Sequence, residues 1–149
     1  MPTPPPTPAP TPEPAPSPAP TIFVFGSNLA GRHGAGAARY ARQHWGAEYG
    51  VGAGPTGNAY AIPTKDEKLR PLPLAQIAVH IGRFLAYART HPDREFLITA
   101  LGTGFAGYRH EQIGPLFASA PPNCRLPSLW VRYRRHHNAG AARHPDPPF

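Results

Sequence analysis

Thr21-Ile22-Phe23-Val24-Phe25-Gly26-Ser27-Asn28-Leu29-Ala30-Gly31-Arg32-His33-Gly34-Ala35-Gly36-Ala37-Ala38-Arg39-Tyr40-Ala41 carries most of the folding information in this 149-residue chain. Its first five residues are β-branched or aromatic and stop at Gly26, the pattern of a short buried strand. Residues 27–36 are rich in glycine and read as a loop. From Ala35 to Trp45 the alanines, Tyr40, Ala41 and Trp45 recur at helical spacing, which predicts a helix opening near Gly34. Strand, glycine loop and helix in direct succession form a unit with a physical use. Glycines let a backbone approach a phosphate closely, and the loop amides together with the helix N-terminus supply partial positive charge.

The unit recurs downstream. Phe96-Leu97-Ile98-Thr99-Ala100-Leu101 reads as a strand ended by glycine, followed by Gly102-Thr103-Gly104-Phe105-Ala106-Gly107 and a helix expected from His110 to Ala118. Between the two units, Ala59-Tyr60-Ala61-Ile62 reads as a strand halted by Pro63. Residues 46–58, with five glycines and Pro55, read as irregular. The clearest helix is expected from Pro73 to Thr90. There Leu74, Ile77, Ala78, Ile81, Leu85 and Ala88 form an apolar stripe behind a proline suited to a helix start. Ser128 to Tyr133 reads as a final short strand. The expected fold is α/β, three layers with a mainly parallel sheet. Its two glycine loops, at the carboxyl ends of neighbouring strands, would face one crevice.

Composition bounds the rest. Eleven of the 23 prolines lie in residues 1–20, a segment of little besides Pro, Thr, Ala and Ser. Such a sequence cannot offset its ordering entropy by burial and is expected to be a disordered, extended tether reaching about 60 Å at about 3.1 Å per residue. Residues 21–133 are the expected folded domain, and residues 134–149 a basic tail expected to be disordered. The formal net charge is +7, which suits a polyanionic ligand. The run Arg132-Tyr133-Arg134-Arg135 is the natural candidate for weak nucleic-acid contact. One cysteine, Cys124, leaves no intrachain disulfide and no cysteine-based zinc cluster. With no signal-peptide pattern and no membrane-length apolar run, a cytoplasmic protein without membrane contact is expected. Nothing in the sequence calls for a cofactor or a metal, and oligomeric state is not legible.

Residues 102–107 match the dinucleotide pattern GxGxxG, yet the acidic residue expected about 20 positions later is missing. Neither loop ends in the Gly-Lys-Ser/Thr of a Walker A motif. The blocks Gly31-Arg32-His33-Gly34-Ala35-Gly36-Ala37-Ala38, Ala61-Ile62-Pro63-Thr64-Lys65 and Leu101-Gly102-Thr103-Gly104-Phe105-Ala106-Gly107-Tyr108 together resemble macrodomains. The likeness is greatest to the compact subgroup that includes the terminal ADP-ribose protein glycohydrolases. The chain is also similar to uncharacterised bacterial and phage non-structural proteins that share Phe25-Gly26-Ser27-Asn28-Leu29-Ala30-Gly31.

The resemblance implies a compact macrodomain-like fold that binds ADP-ribose or a related NAD-derived nucleotide. It implies ligand contacts from Ser27, Asn28, Gly31, His33, Gly34, Ala35 and Gly36 in the first loop. In the second loop it implies contacts from Gly102, Thr103, Gly104, Phe105, Ala106, Gly107 and Tyr108, with Phe105 or Tyr108 beside the distal ribose. Lys65 falls where the glycohydrolases place a lysine that attacks ribose C1″. Their resolving aspartate corresponds to Ala106 here, so the enzyme question stays open at this stage. His33 and His110, in or just after the loops, are the acid/base candidates. Two other readings stand beside this one: a nucleic-acid-binding accessory protein using its basic tail, and a nucleotide sensor of the SLOG type.

Overall fold

A computed structural model describes residues 2–6, 20–135, 146–147 and 149. Its centre is β1 (Thr21–Asn28), which is buried on both faces. Ile22 and Val24 point into one cluster with Tyr60, Ile77, Ile81, Phe84, Phe96 and Trp130. Phe23 and Phe25 point the other way, onto Ala38, Ala41, Ala47, Ala59 and Ala61. The strand's two-residue period thus divides the core into two layers around the sheet. Phe23 is wholly buried, its ring stacked on Trp45 at 5.5 Å. Burial of one such large side chain contributes about 1.5–3 kcal/mol.

The remaining elements follow in chain order. They are α1 (Gly36–His44), β2 (Gly54–Thr56), β3 (Ala59–Lys65), α2 (Leu74–Arg89), β4 (Glu95–Ile98), α3 (His110–Ile113) and β5 (Cys124–Arg125), with 3-10 turns at Gly114–Phe117 and Ser128–Tyr133. The five strands form one sheet in the order β2-β3-β1-β4-β5. β1 pairs in parallel with β3 and β4, β4 pairs in parallel with β5, and only β2 runs antiparallel. The fold is therefore α/β with a mostly parallel sheet. α1 covers the alanine-lined face and α2 the larger one.

Several local expectations are corrected. α1 opens at Gly36, two residues after Gly34, because Ala35 still has extended dihedrals. Residues 46–58 are not wholly irregular, since Gly54–Thr56 adds the edge strand β2. The expected helix from His110 to Ala118 is only one α-turn before Gly114–Phe117 tightens into a 3-10 turn with a proline at its start. Ser128–Tyr133 is a 3-10 turn and not a strand. There Leu129 is exposed while Trp130 is wholly buried. The Trp130 ring stacks on Phe117 at 5.2 Å, and its Nε1 donates to His110 Nδ1 at 2.9 Å. A tight turn that delivers one large ring meets that demand. The fifth strand is Cys124–Arg125 instead.

Of the expected basic tail, Arg134 and Arg135 are held by the fold. The Arg134 guanidinium donates to the carbonyls of Pro121 and Cys124 at 2.8 and 2.6 Å, and Arg135 N donates to Ala118 O. Residues 136–145 and 148 lie outside the described residues, as do residue 1 and residues 7–19 of the expected tether. No helix among the described residues is long and apolar enough to cross a membrane.

Candidate functional site

β1 and β4 are neighbours in the sheet, and the chain leaves them in opposite directions. From β1 it passes through α1 toward β3; from β4 it passes toward β5. Adjacent parallel strands whose connections diverge leave a crevice at their carboxyl ends, the usual ligand position in open α/β sheets. A cavity of about 560 Å³ lies there, within the roughly 300–1,000 Å³ of small-molecule sites.

Its walls come from both glycine loops. Gly34, Ala35 and Gly36 line it from the first, joined by Ser27 and Asn28, which were expected in that loop but form the end of β1. Gly102, Thr103, Gly104, Phe105 and Ala106 line it from the second, with Lys65 between. Two of the lining residues, Arg32 and Lys65, carry charged side chains; both are positive, and no acidic side chain among the described residues lines the cavity.

Several of the lining residues have backbone amides with no acceptor among the described residues. The first intrahelical bond of α1 runs from Arg39 N to Ala35 O at 3.2 Å, so Gly36, Ala37 and Ala38 have no intrahelical acceptor. Ala35 offers no side-chain cap. In the second loop, Thr103 N, Gly107 N and Tyr108 N are tied to Ala100, Gly104 and Gly102 carbonyls. The amides between, of Gly104, Phe105 and Ala106, have no acceptor among the described residues. Two sets of free N–H groups thus border one cavity.

The loops are shaped by contacts that need glycine. Gly31 has φ +70°, and a Cβ there would sit 2.3 Å from Gly50 C, where Gly50 N donates to Gly31 O. Gly36 has φ +59°, and its face is covered by the Phe105 ring, 3.1 Å from where a Cβ would be. Phe105 therefore reaches from one loop to the other. Lys65 Nζ lies 5.1 Å from the same ring's centroid, a cation–π contact at the cavity wall.

Asn28 and Ser27 turn out to brace the loops. Asn28 Nδ2 donates to Arg32 O at 2.8 Å while its Oδ1 accepts from Arg32 N at 3.0 Å. The Ser27 hydroxyl donates to Gly52 O. Asp66 spends its carboxylate on its own turn, accepting from Lys68 N, Arg70 N and Arg70 Nε. Those bonds, the backbone N–H of Arg70 foremost, hold its carboxyl below the ordinary range. That turn sets Leu69 beside Lys65 on the cavity wall.

Gly31, His33, Gly107 and Tyr108 are not brought to the cavity. The Tyr108 hydroxyl donates to Leu72 O, fastening the second loop to the start of α2. His33 is wholly buried behind the first loop, its ring edge-on to Phe25 at 5.4 Å. Nε2 lies 3.1 Å from Val51 O; a carbonyl can only accept, so that nitrogen carries the proton. Nδ1 is buried with no partner. Desolvation, aided by Arg42, pushes this ring's pKa below the usual histidine value against the Val51 bond. His110 Nδ1 accepts from Trp130 and is likewise structural. No group of three His, Cys, Asp or Glu among the described residues could hold a metal.

Sequence reasoning missed half of the lining, among it Arg32, Ala37 and Ala38 beside the first loop, Thr99, Ala100 and Leu101 before the second, and Tyr49, Thr64, Leu69 and Phe149 from elsewhere. Thr99 and Ala100 directly precede the second loop and were legible from its position. Tyr49, Leu69 and Phe149 arrive from other segments by tertiary folding, for which the sequence holds no local signal. No protein-family model, curated protein or solved structure matches the chain.

Proposed function

We propose that this protein binds the diphosphate of ADP-ribose or a related NAD-derived nucleotide between its two glycine loops, in the manner of the macrodomains it resembles. The supporting observation is that two sets of backbone amides without an acceptor among the described residues, Gly36 to Ala38 and Gly104 to Ala106, belong to residues lining one cavity. Its only charged lining side chains among the described residues are Arg32 and Lys65. Fixed N–H dipoles and two cations suit an elongated dianion better than a neutral ligand. Phe105 and Tyr49 add exposed aromatic surface at the mouth for a sugar or base.

The proposal is for binding. Glycosidic hydrolysis through Lys65 would also need a group to carry protons for the leaving group and for water, and the cavity lining holds no acidic side chain among the described residues. Binding through the basic run is less favoured, because Arg134 is committed to two carbonyls and Arg132 lies over Tyr133 at 4.7 Å.

Calorimetry with ADP-ribose, against AMP and NAD, tests the reading. Saturable binding of ADP-ribose is expected. Absence of heat with all three at millimolar concentration would sink the proposal.

A further inference from the structure

The first glycine loop has few ties of its own between Arg32 and Ala35. The Asn28 side chain clasps both backbone polar groups of Arg32, and Ala35 O accepts the bond that opens α1. Between them stand His33 and Gly34, whose amides have no acceptor among the described residues. The hydrogen bond that fastens this stretch comes from a side chain: His33 Nε2 donates to Val51 O at 3.1 Å. A Cβ on Gly34 would meet nothing within 4 Å, so packing on that side does not hold the residue either. Arg32, Gly34, Ala35 and Gly36 line the cavity, while the ring that fixes them does not.

The surroundings of that ring suit a neutral imidazole. It is wholly buried, edge-on to Phe25 of β1 at 5.4 Å and to Tyr49 at 6.2 Å. From α1, Arg42 reaches the same place, its guanidinium 5.7 Å from the Tyr49 ring centroid. Glu48, next to Tyr49 in the chain, is exposed and is not among the groups that act on the ring. Nδ1 is buried without a partner. A second proton would therefore create a buried N–H donor with no acceptor, and a positive charge facing Arg42, both costly away from water.

A ring that takes up this proton must leave its place to hydrate Nδ1, and its backbone goes with it. Gly34 and Ala35 follow, because no described amide bond holds them back. Tyr49, which packs against the ring and lines the cavity, loses that support at the same time. We propose that His33 is a positioning residue for the site: its neutral ring pins the first glycine loop in the shape that receives an anion, and a proton on that ring releases loop and ligand together. The pin stands on contacts within the chain, whereas the loss of ligand rests on the nucleotide reading. Binding requires the neutral ring, so affinity falls by about tenfold for each pH unit below the ring's midpoint in the free protein.

The experiment uses the full chain, His33→Gln and His33→Ala. The Gln amide can still donate to Val51 O but takes up no proton. Nitrogen NMR of the His33 ring and amide NMR of Gly34 and Gly36 are followed from about pH 7.5 to about pH 5, with ADP-ribose titrations across the same range. In the parent the two amides are expected to shift with the ring's own midpoint while β3 and α2 stay unchanged, and affinity is expected to fall along the same curve. In His33→Gln affinity is expected to stay level over that range. In His33→Ala it is expected to be about tenfold weaker than in the parent at about pH 7.5.

Amides that ignore the ring's titration, or a whole chain that unfolds in one step with it, overturn the pin. So does parental affinity in a folded His33→Ala. A parent whose amides follow the ring while its affinity stays level, or a His33→Gln profile as steep as the parent's, overturns the coupling to ligand. Amides that follow the ring, with no ADP-ribose binding by any form at any pH, uphold the pin and overturn the nucleotide reading instead. The parent's own titration decides the matter even where the alanine variant fails to fold.

Discussion

Gly104 and Lys65 are the residues at which the nucleotide reading can be separated from fold stability. A Cβ at Gly104 meets nothing within 4 Å, and the residue lines the cavity. Gly104→Glu therefore places a carboxylate in the phosphate position without straining the backbone. Its stability is expected within about 0.5 kcal/mol of the parent, while ADP-ribose affinity falls by more than about tenfold, or roughly 1.4 kcal/mol. Urea denaturation and calorimetry on one preparation check both halves; retained binding would place the phosphates elsewhere. Lys65→Ala removes one of two cations and the contact that holds Phe105, so a loss of about tenfold in affinity is expected by the same titration. Lys65 was singled out only by the macrodomain resemblance, since the strand was expected to halt at Pro63 and in fact runs on to Lys65. The roles of Asn28 and Tyr108 were not legible: each has a polar group suited to a ligand, and only the folded chain reveals Arg32 O and Leu72 O as their partners.

At the scale of elements, the apolar cores of the strands and the long amphipathic helix were readable because their periodicity is local. β1 and β3 begin where their apolar runs begin, but β1 continues through Gly26 to Asn28 and β3 through Pro63 to Lys65. β4 stops at Ile98 and does not reach Leu101, while α2 matches its stripe within a residue at each end. The last third of the chain was harder. Leu129, Trp130 and Val131 look like a strand by composition, yet the buried ring of Trp130 against Phe117 and His110 decides the local geometry. That interaction spans elements and leaves no periodic trace. It also dominates the stability of this corner, where a Cβ on Gly114 would come within 2.7 Å of Tyr133. Trp130→Ala is expected to cost about 3–5 kcal/mol, measured by urea unfolding; a loss below about 1 kcal/mol, the size of an ordinary point mutation, would mean the turn is held by something else.

For the whole molecule, burial of His33 links the fold to pH. The unfolded ring titrates near 6.5 and the folded ring lower. As pH falls through about 6.5 the unfolded chain therefore takes up a proton that the folded chain does not, and stability drops until the folded ring also protonates. His80, lowered by burial and by Arg83, adds the same sign. Urea midpoints are expected to fall between about pH 7.5 and about pH 5.5, and to fall less in His33→Gln, whose amide can still donate to Val51 O. Equal midpoints at the two pH values would contradict a neutral buried ring.

The sheet order places the divergence of the chain between β1 and β4, and both glycine loops follow from it. A crystal soaked with ADP-ribose tests the central claim most directly. Diphosphate density is expected between the amides of Gly36 to Ala38 and those of Gly104 to Ala106, with Lys65 and Arg32 alongside. An empty cavity at millimolar ligand, or density outside the two loops, would contradict it.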